Sequence, residues 1–412
     1  MAIRGKMGKT ADCGAFRMVA SVRVGLVGAG FASRFHYEGY RHVYGILVEI
    51  VGINDVNRDA RETFARNHNI RAFPTLEELC EAVDVIDICT PASTHALLAV
   101  KSLELGKHVV IEKPFTGYYG PANEDGKNFR GDTFPKEIML REAIANCDRM
   151  LNAARNAKKT ICYAENWLYA PAIQKEREIL RKSGAQILWM IGDESHSGSH
   201  SPFYGNWKFS GGGSLTGKGC HPLSAVLHLK RVEGEARDGT PIRPATVSAH
   251  MHEITRLKAF RDAGFLRPNY EDSEDYCQVH LTFQDGTVAD IFASELVLGG
   301  VHNWLHVHAN NHSTRCKISP IDAVETYNPS EEFLKDVFVT EKIGTKQGWS
   351  HPSPDEDWQH GYPHEFQDFM ESISEGRAPI SGAEIARDTV AALYSAYLSS
   401  ERNGSDVPIP LN

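Results

Sequence analysis

A chain of 412 residues with 42% hydrophobic and 24% charged residues has an ordinary globular composition, and its length calls for two domains rather than one core. The net charge of −9 excludes a nucleic-acid partner, which needs a basic face. No apolar run approaches the ~20 residues of a membrane span, which excludes a membrane partner as well.

Residues 1–20 carry Arg4, Lys6, Lys9, Asp12 and Arg17 without a clean apolar stretch, and read as a flexible tail. Val22 to Val27 is an apolar run feeding a glycine turn, with a helix expected to follow through Tyr44. Val48 to Ile53 is the next strand and Asp59 to Asn67 the next helix. Thr75, with Glu78 three residues on, marks a capping box. A strand over Val85 to Cys89 runs into Thr90-Pro91, and a helix from Ser93 to Leu105 stops at Gly106. Val109 to Ile111 is a strand, and a glycine-rich loop then spans residues 115–135. Helix resumes over Lys136 to Ala157, before a strand over Thr160 to Ala164. This alternation predicts an α/β fold, a Rossmann doubly wound parallel sheet over residues 21–165.

The second half changes period. Thr246 to His252, Tyr276 to Phe283, Val288 to Ser294 and Leu305 to Ala309 alternate at period two. They predict a C-terminal α/β domain over residues 166–380 with a large open, mostly antiparallel sheet. Helices over Pro363 to Glu375 and Gly382 to Glu401 follow, the latter inside a C-terminal helix and tail at residues 381–412. The eight cysteines (Cys13, Cys80, Cys89, Cys147, Cys162, Cys220, Cys277, Cys316) form no Cys-x-x-Cys pair, and read as reduced thiols of a cytoplasmic protein. His250/His252 and His306/His308 share strand faces, but zinc needs three or four converging ligands, so no metal is expected.

Gly28-x-Gly30-x-x-Ser33, between a strand and a helix, matches a dinucleotide-binding turn. Gly28 permits the sharp bend, Gly30 admits a pyrophosphate, and Phe31 and Ala32 open the helix whose N-terminus would hold it. Asp55 ends the second strand, where a carboxylate accepts hydrogen bonds from a ribose 2′-hydroxyl and repels a 2′-phosphate. NAD is therefore expected over NADP, with the nearby Arg58 the one feature that tolerates a phosphate. Glu112-Lys113-Pro114 closes a strand and sets an ammonium beside the hydride path. In the second half, a flexible glycine run at Gly211-Gly212-Gly213 leads through Lys218 to His221, at the mouth of a short apolar helix over Leu223 to Leu229. His221 has the chemistry to take a proton from a hydroxyl at neutral pH.

With Thr90-Pro91-Ala92-Ser93-Thr94-His95, these segments resemble the glucose-fructose oxidoreductase / inositol dehydrogenase / rhizopine catabolism (Gfo/Idh/MocA) family from Val22 to about Arg402. The resemblance implies NAD-linked oxidation of a hydroxyl on a sugar, sugar acid or cyclitol, in a homodimer or homotetramer. By position it places Thr90, Pro91, Ser93 and His95 along the cofactor, with Glu112 and Lys113 near its nicotinamide end. It makes Lys113 and His221 the catalytic pair and residues 166–380 the substrate-binding and oligomerisation unit. Tyr163, Asn166, Tyr169 and Trp207 are then candidates to line the substrate.

One position departs from the pattern. The family often has an aspartate four residues before the histidine; here that residue is Gly217, followed by Lys218. The exchange predicts a histidine without its orienting carboxylate and with its pKa lowered by an ammonium, which makes Lys218 a further catalytic candidate and favours an acidic sugar. A redox-neutral glycoside cleavage or epimerisation through a transient keto-sugar is the alternative activity. A non-catalytic NAD-sensing protein is the third reading.

Overall fold

The computed structural model describes residues 20–121, 128–199, 201 and 203–411. Cys13, nearly all of the expected tail, residues 122–127 of the long loop and His200 lie outside the described residues. The first half forms β1 (Ser21–Val27), α1 (Ala32–Arg41), β2 (Leu47–Asn54), α2 (Arg58–His68), β3 (Arg71–Ala72), α3 (Leu76–Ala82), β4 (Val85–Ile88), α4 (His95–Glu104), β5 (His108–Glu112), α5 (Lys136–Ala157) and β6 (Ile161–Ala164). The six strands make one parallel sheet in the order β3-β2-β1-β4-β5-β6. Parallel strands are covered on both faces, which is why β4 is buried along its whole length. The capping box forms: Thr75 accepts from the Glu78 N–H at 3.2 Å and its hydroxyl reaches Glu78 Oε1 at 3.1 Å. α1 stops three residues before the expected Tyr44, because Gln367 holds the Tyr44 backbone by both its N–H (2.9 Å) and its carbonyl (3.1 Å).

The second half adds α6 (Pro171–Ser183), β7 (Ile187–Ser195), α7 (Trp207–Ser210), α8 (Cys220–Asp238), β8 (Pro244–His252), β9 (Tyr276–Phe283), β10 (Val288–Ser294), β11 (His302–Ala309), β12 (Ser313–Ser319), β13 (Thr326–Asn328), β14 (Gly348–Ser350), α9 (Glu356–His360), α10 (Tyr362–Glu375), α11 (Ala383–Glu401) and β15 (Val407–Pro408). A seven-stranded sheet runs in the order β12-β11-β7-β10-β9-β8-β15, antiparallel except where β10 lies parallel to β7. All four period-two strands are in it. Two strands lie outside the sequence expectations, the central β7, which runs five apolar residues and then Gly-Asp-Glu-Ser, and the edge strand β12.

The glycine run is not flexible, and the helix after it is not short. Gly213 donates to Glu274, Ser214 is fully buried, and a π-helical turn over Leu215–Gly219 leads directly into the 19 residues of α8. Lys230 and Glu233 pair at 2.6 Å one turn apart, and Arg237 reaches Glu233 at 2.7 Å, so charged residues continue the helix past its apolar segment.

The described part of the 115–135 loop is anchored on the body of the protein through Tyr118. The Tyr118 N–H donates to the Tyr394 hydroxyl at 2.7 Å, and its ring stacks on Phe134 at 5.3 Å. The C-terminal helix is shared between the halves: α11 packs on α5 and β8, and Ser399 accepts from the β8 residue Ala249 at 2.9 Å. α10 closes on the first sheet through Phe366, which is fully buried against His36 (4.9 Å), Tyr40 (4.4 Å) and the bare backbone of Gly39. Phe366→Ala is expected to cost about 3–5 kcal/mol of unfolding free energy in a denaturant titration, with the loss read as a lower midpoint at unchanged slope.

Candidate active site

Four strand ends of the parallel sheet converge on one edge, where open α/β sheets bind ligands. β1 ends at Gly28, whose φ of +101° and close approach to the Cys89 carbonyl (2.7 Å from a built Cβ) require glycine. At Gly30 a Cβ would meet nothing within 4 Å, and α1 begins with no side-chain cap and no acidic residue. Its free N–H groups and the bare Gly30 backbone suit an anionic pyrophosphate, so this edge fits a dinucleotide. Asp55 is oriented by the N–H groups of Ala29 and Asn57, both at 2.6 Å. Phe31 is exposed, set edge-on to Phe35 at 4.7 Å, and Phe35 stacks on Tyr362 at 5.6 Å, making an aromatic wall. Ala32 follows as the first residue of α1.

Thr90 and Pro91 end the β4 segment, and Ser93 lies in the 3₁₀ turn that follows. The His95 ring is buried between two carbonyls, Pro114 O at 3.0 Å and Thr90 O at 2.9 Å. It therefore clamps the Thr90 turn to the end of β5. Beneath that end lies a chain of buried charges. His36 meets Asp87 at 2.9 Å through Nδ1 and Glu112 at 3.2 Å through Nε2. Burial opposes the His36 charge, but Asp87 and Cys89 hold its pKa well above the ordinary value. Burial likewise opposes ionisation of Glu112, yet His36, Lys113 and His221 keep it below the usual carboxylate range.

Lys113 crosses to the second half, where its ammonium donates to the Gly217 carbonyl at 2.9 Å. Burial works against its charge, but the surrounding acidic groups, Tyr204 first, raise its pKa well above the ordinary value. His221 lies one residue into α8 and four beyond Gly217. Its Nδ1–H donates to Glu165 Oε1 at 2.5 Å, and its Nε2 faces Glu194 Oε2 at 3.9 Å. With Nδ1 committed to a carboxylate, Nε2 is the nitrogen left to exchange a proton. Lys113 and His221, from separate halves of the chain, therefore meet at one place, each within electrostatic range of the other.

Two expectations about Lys218 are corrected. It does not face the histidine; it is buried in an ion pair with Glu295. His221 is also not lowered: against the cost of burial, Glu165 and Glu194 raise its pKa. Nor does the histidine lack a carboxylate. Glu165, immediately after β6, takes that role from the other half of the chain. An acidic side chain at 217 has no room, since a Cβ there would lie 2.4 Å from the Tyr204 ring.

Among the substrate candidates, Asn166 lies beside the dyad and donates to the His360 carbonyl at 2.9 Å. Tyr163 packs in the core against Phe115 at 5.6 Å. Tyr169 is spoken for, its hydroxyl bonded to Asp368 at 2.8 Å and to the Ser381 N–H at 2.9 Å. Trp207 is buried on Tyr397 at 4.7 Å with its indole N–H on the Tyr118 carbonyl at 3.1 Å. Neither Tyr169 nor Trp207 reaches the cleft; both pack the interior, which aromatic character alone does not distinguish from sugar stacking. Glu165 carried a missed signal, since it ends a strand just as Asp55 and Lys113 do. Glu194 ends a strand that was not read. Lys342 gave no signal at all: it arrives on the segment between β14 and β13 and donates to His196 Nε2 at 2.9 Å and the Gly198 carbonyl at 3.1 Å. Among the described residues two buried groups bring metal-ligand atoms together, His36/Asp87/Cys89 and Glu165/Cys220/His221, and in both the imidazole already hydrogen-bonds a carboxylate.

Residues 22–125 match the model of the Gfo/Idh/MocA family, described as an oxidoreductase family with an NAD-binding Rossmann fold. The UDP-N-acetylglucosamine 3-dehydrogenase of Acidithiobacillus ferrooxidans is 36% identical over 95 residues, 23% of this chain and 29% of that protein. The glucose-6-phosphate 3-dehydrogenase of Bacillus subtilis is 29% identical over 92 residues, 22% of this chain and 26% of that protein. The chain thus spans less than a third of the length of these two curated relatives. Over 98% of this chain and 100% of the other, the fold matches GenD2 from gentamicin A biosynthesis, solved in complex with NAD, at a TM-score of 0.75 and 21% identity. It matches scyllo-inositol dehydrogenase from Lactobacillus casei over 95% and 99% of the two chains, at a TM-score of 0.69 and 14% identity. These two likenesses establish the two-domain fold.

Because Glu165 raises the His221 pKa, Glu165→Gln is expected to lower it. The imidazole titration, followed by NMR of the ring carbon-bound proton, should move from above 6.5 toward lower pH. An unmoved midpoint would separate the two groups electrostatically.

Proposed function

We propose that this chain, whose N-terminal domain belongs to the Gfo/Idh/MocA oxidoreductase family, oxidises a secondary hydroxyl of a sugar or cyclitol with NAD. The observation that carries the reading is the meeting of Lys113 and the His221–Glu165 dyad at the edge of the NAD-binding sheet. NAD, when bound, supplies the hydride acceptor. The residues that would hold it are Gly28, Gly30, Phe31 and Ala32 at the pyrophosphate turn, Asp55 at the ribose, and Thr90, Pro91 and Ser93 along the strand end. Asp55, already oriented by two N–H groups, supports NAD over NADP.

The Lys113 ammonium donates to the carbinol oxygen and stabilises the charge that develops on it. His221 accepts the hydroxyl proton at Nε2 while Glu165 holds the imidazole and stabilises the imidazolium. The raised His221 pKa means that oxidation gains as pH rises through it and the base becomes neutral, whereas reduction gains below it. Glu112, kept ionised by protonated His36, adds a negative charge that favours the charged form of Lys113. Lys218 enters this reading as a structural ion pair.

The reading extends to a homo-oligomer joined through the outer face of the second sheet. There Trp189 stacks on His308 at 4.1 Å and both Leu188 and Trp189 remain exposed. A cytoplasmic location is proposed with it, supported by seven buried free thiols among the described residues. No helix among those residues is long and apolar enough to cross a membrane.

The test is a panel of sugars and cyclitols with NAD, following the absorbance of reduced nicotinamide. Stoichiometric NADH is expected with at least one neutral polyol, and no NADH with any would overturn the reading. Lys113→Met is expected to lower kcat about 10³-fold while NAD binding persists. Full activity in that variant would remove Lys113 from the chemistry.

A further inference from the structure

Among the described residues the cations around the site are engaged, whereas several buried carboxylate oxygens have no hydrogen-bond donor, Glu165 Oε2, Glu194 Oε2 and both oxygens of Glu365, and of these Glu194 is the one that faces His221 Nε2. Lys113 is held by the Gly217 carbonyl, Lys218 by Glu295, and Lys342 by His196 and the Gly198 carbonyl. Glu194, on the last turn of pleat of β7, is 8% exposed, and its Oε2 has no hydrogen-bond donor among the described residues. Its separation of 3.9 Å from His221 Nε2 is too long for a hydrogen bond. Burial raises its pKa, while His221, Lys113 and Lys218 pull the other way, so it lies within electrostatic range of the proposed catalytic pair. A buried carboxylate oxygen left without a donor is costly, and a ligand that supplies one recovers that cost.

We propose that Glu194 is a specificity-determining residue that accepts a hydrogen bond from a donor on the carbon next to the one oxidised. This rests on the proposed function above. The carbinol oxygen occupies the point between Lys113 Nζ and His221 Nε2. Glu194 Oε2 lies 3.9 Å from His221 Nε2, and with Lys113 and His221 assigned to the reacting hydroxyl it is left to meet the adjacent substituent. The substrate class is therefore a vicinal diol or a vicinal amino alcohol, both of which present a donor there. A carboxylate or phosphate at that position is excluded, because it would bring like charge against Glu194 in a buried site. This reverses the acidic-sugar preference read from Lys218.

The experiment takes the best polyol of the panel with its monodeoxy and monoamino analogues, assayed on wild type, Glu194→Gln and Glu194→Ala. The isosteric Gln variant guards against misfolding, with the melting transition of each variant recorded. In wild type, the analogue lacking the neighbouring hydroxyl should lose about 100-fold in kcat/KM. In Glu194→Ala that penalty should shrink below about 5-fold, because the donor no longer has a partner. The amino analogue should match or exceed the parent in wild type and lose that advantage in Glu194→Gln. An unchanged deoxy penalty in both variants would overturn the proposal while leaving the oxidation intact. Should no polyol be oxidised, the function fails on its own, and equilibrium binding of myo-inositol to NADH-loaded protein decides the role of Glu194. Weaker binding by Glu194→Ala supports it, and equal binding overturns it.

Discussion

The hydrogen bond from His221 Nδ1 to Glu165 joins the two halves of the molecule at the point where chemistry is expected. Glu165 follows the last strand of the parallel sheet, and His221 opens the long helix of the second half. Both are buried, so the pair exists only because each group compensates the other's lost hydration. Removing one partner of a buried pair typically costs about 3–5 kcal/mol. The bond also decides which imidazole nitrogen is available, and so where a substrate must lie.

A second crossing reinforces the first. Lys113 leaves the parallel sheet and ends on the Gly217 carbonyl, inside the π-helical turn that precedes His221. Such turns expose backbone carbonyls that a regular helix would consume, and they recur at functional sites. Gly217 is glycine because Tyr204 fills the space a side chain would need, and its carbonyl holds the lysine. The missing aspartate and the presence of Glu165 are therefore one structural arrangement. Tyr204 occupies the helix side, and the carboxylate comes from the opposite wall.

The buried charges around the site fall into two groups. In one, Asp87, protonated His36 and Glu112 alternate in sign, which keeps Glu112 ionised without exposing it. In the other, Lys218–Glu295 and His221–Glu165 neutralise each other pairwise. Glu194 differs from these pairs in making no hydrogen bond to its partner, its Oε2 lying 3.9 Å from His221 Nε2. α11 and α10 fix the relation of the two halves, the first by packing on both and the second through Phe366 against α1.

What the sequence by itself determined was everything governed by neighbours along the chain. The parallel sheet followed from alternating strand and helix periods, the dinucleotide turn from Gly28 and Gly30 between a strand and a helix, and Lys113 and His221 from their local context. Strands β8 to β11 showed themselves because one face of each is wet and the other dry. β7 did not, since its apolar residues come first and its polar ones last instead of alternating, and Glu194 lies on it. Only the tertiary structure decided which charges face one another. Lys218 stands three residues from His221 in the chain yet pairs with Glu295, whereas Glu165, 56 residues away, holds the imidazole. Aromatic residues divided the same way, with Trp207 and Tyr169 drawn into the interior by partners far along the chain. Electrostatic and packing energies depend on distance in space, and sequence spacing reports that distance only within a single helix, strand or turn.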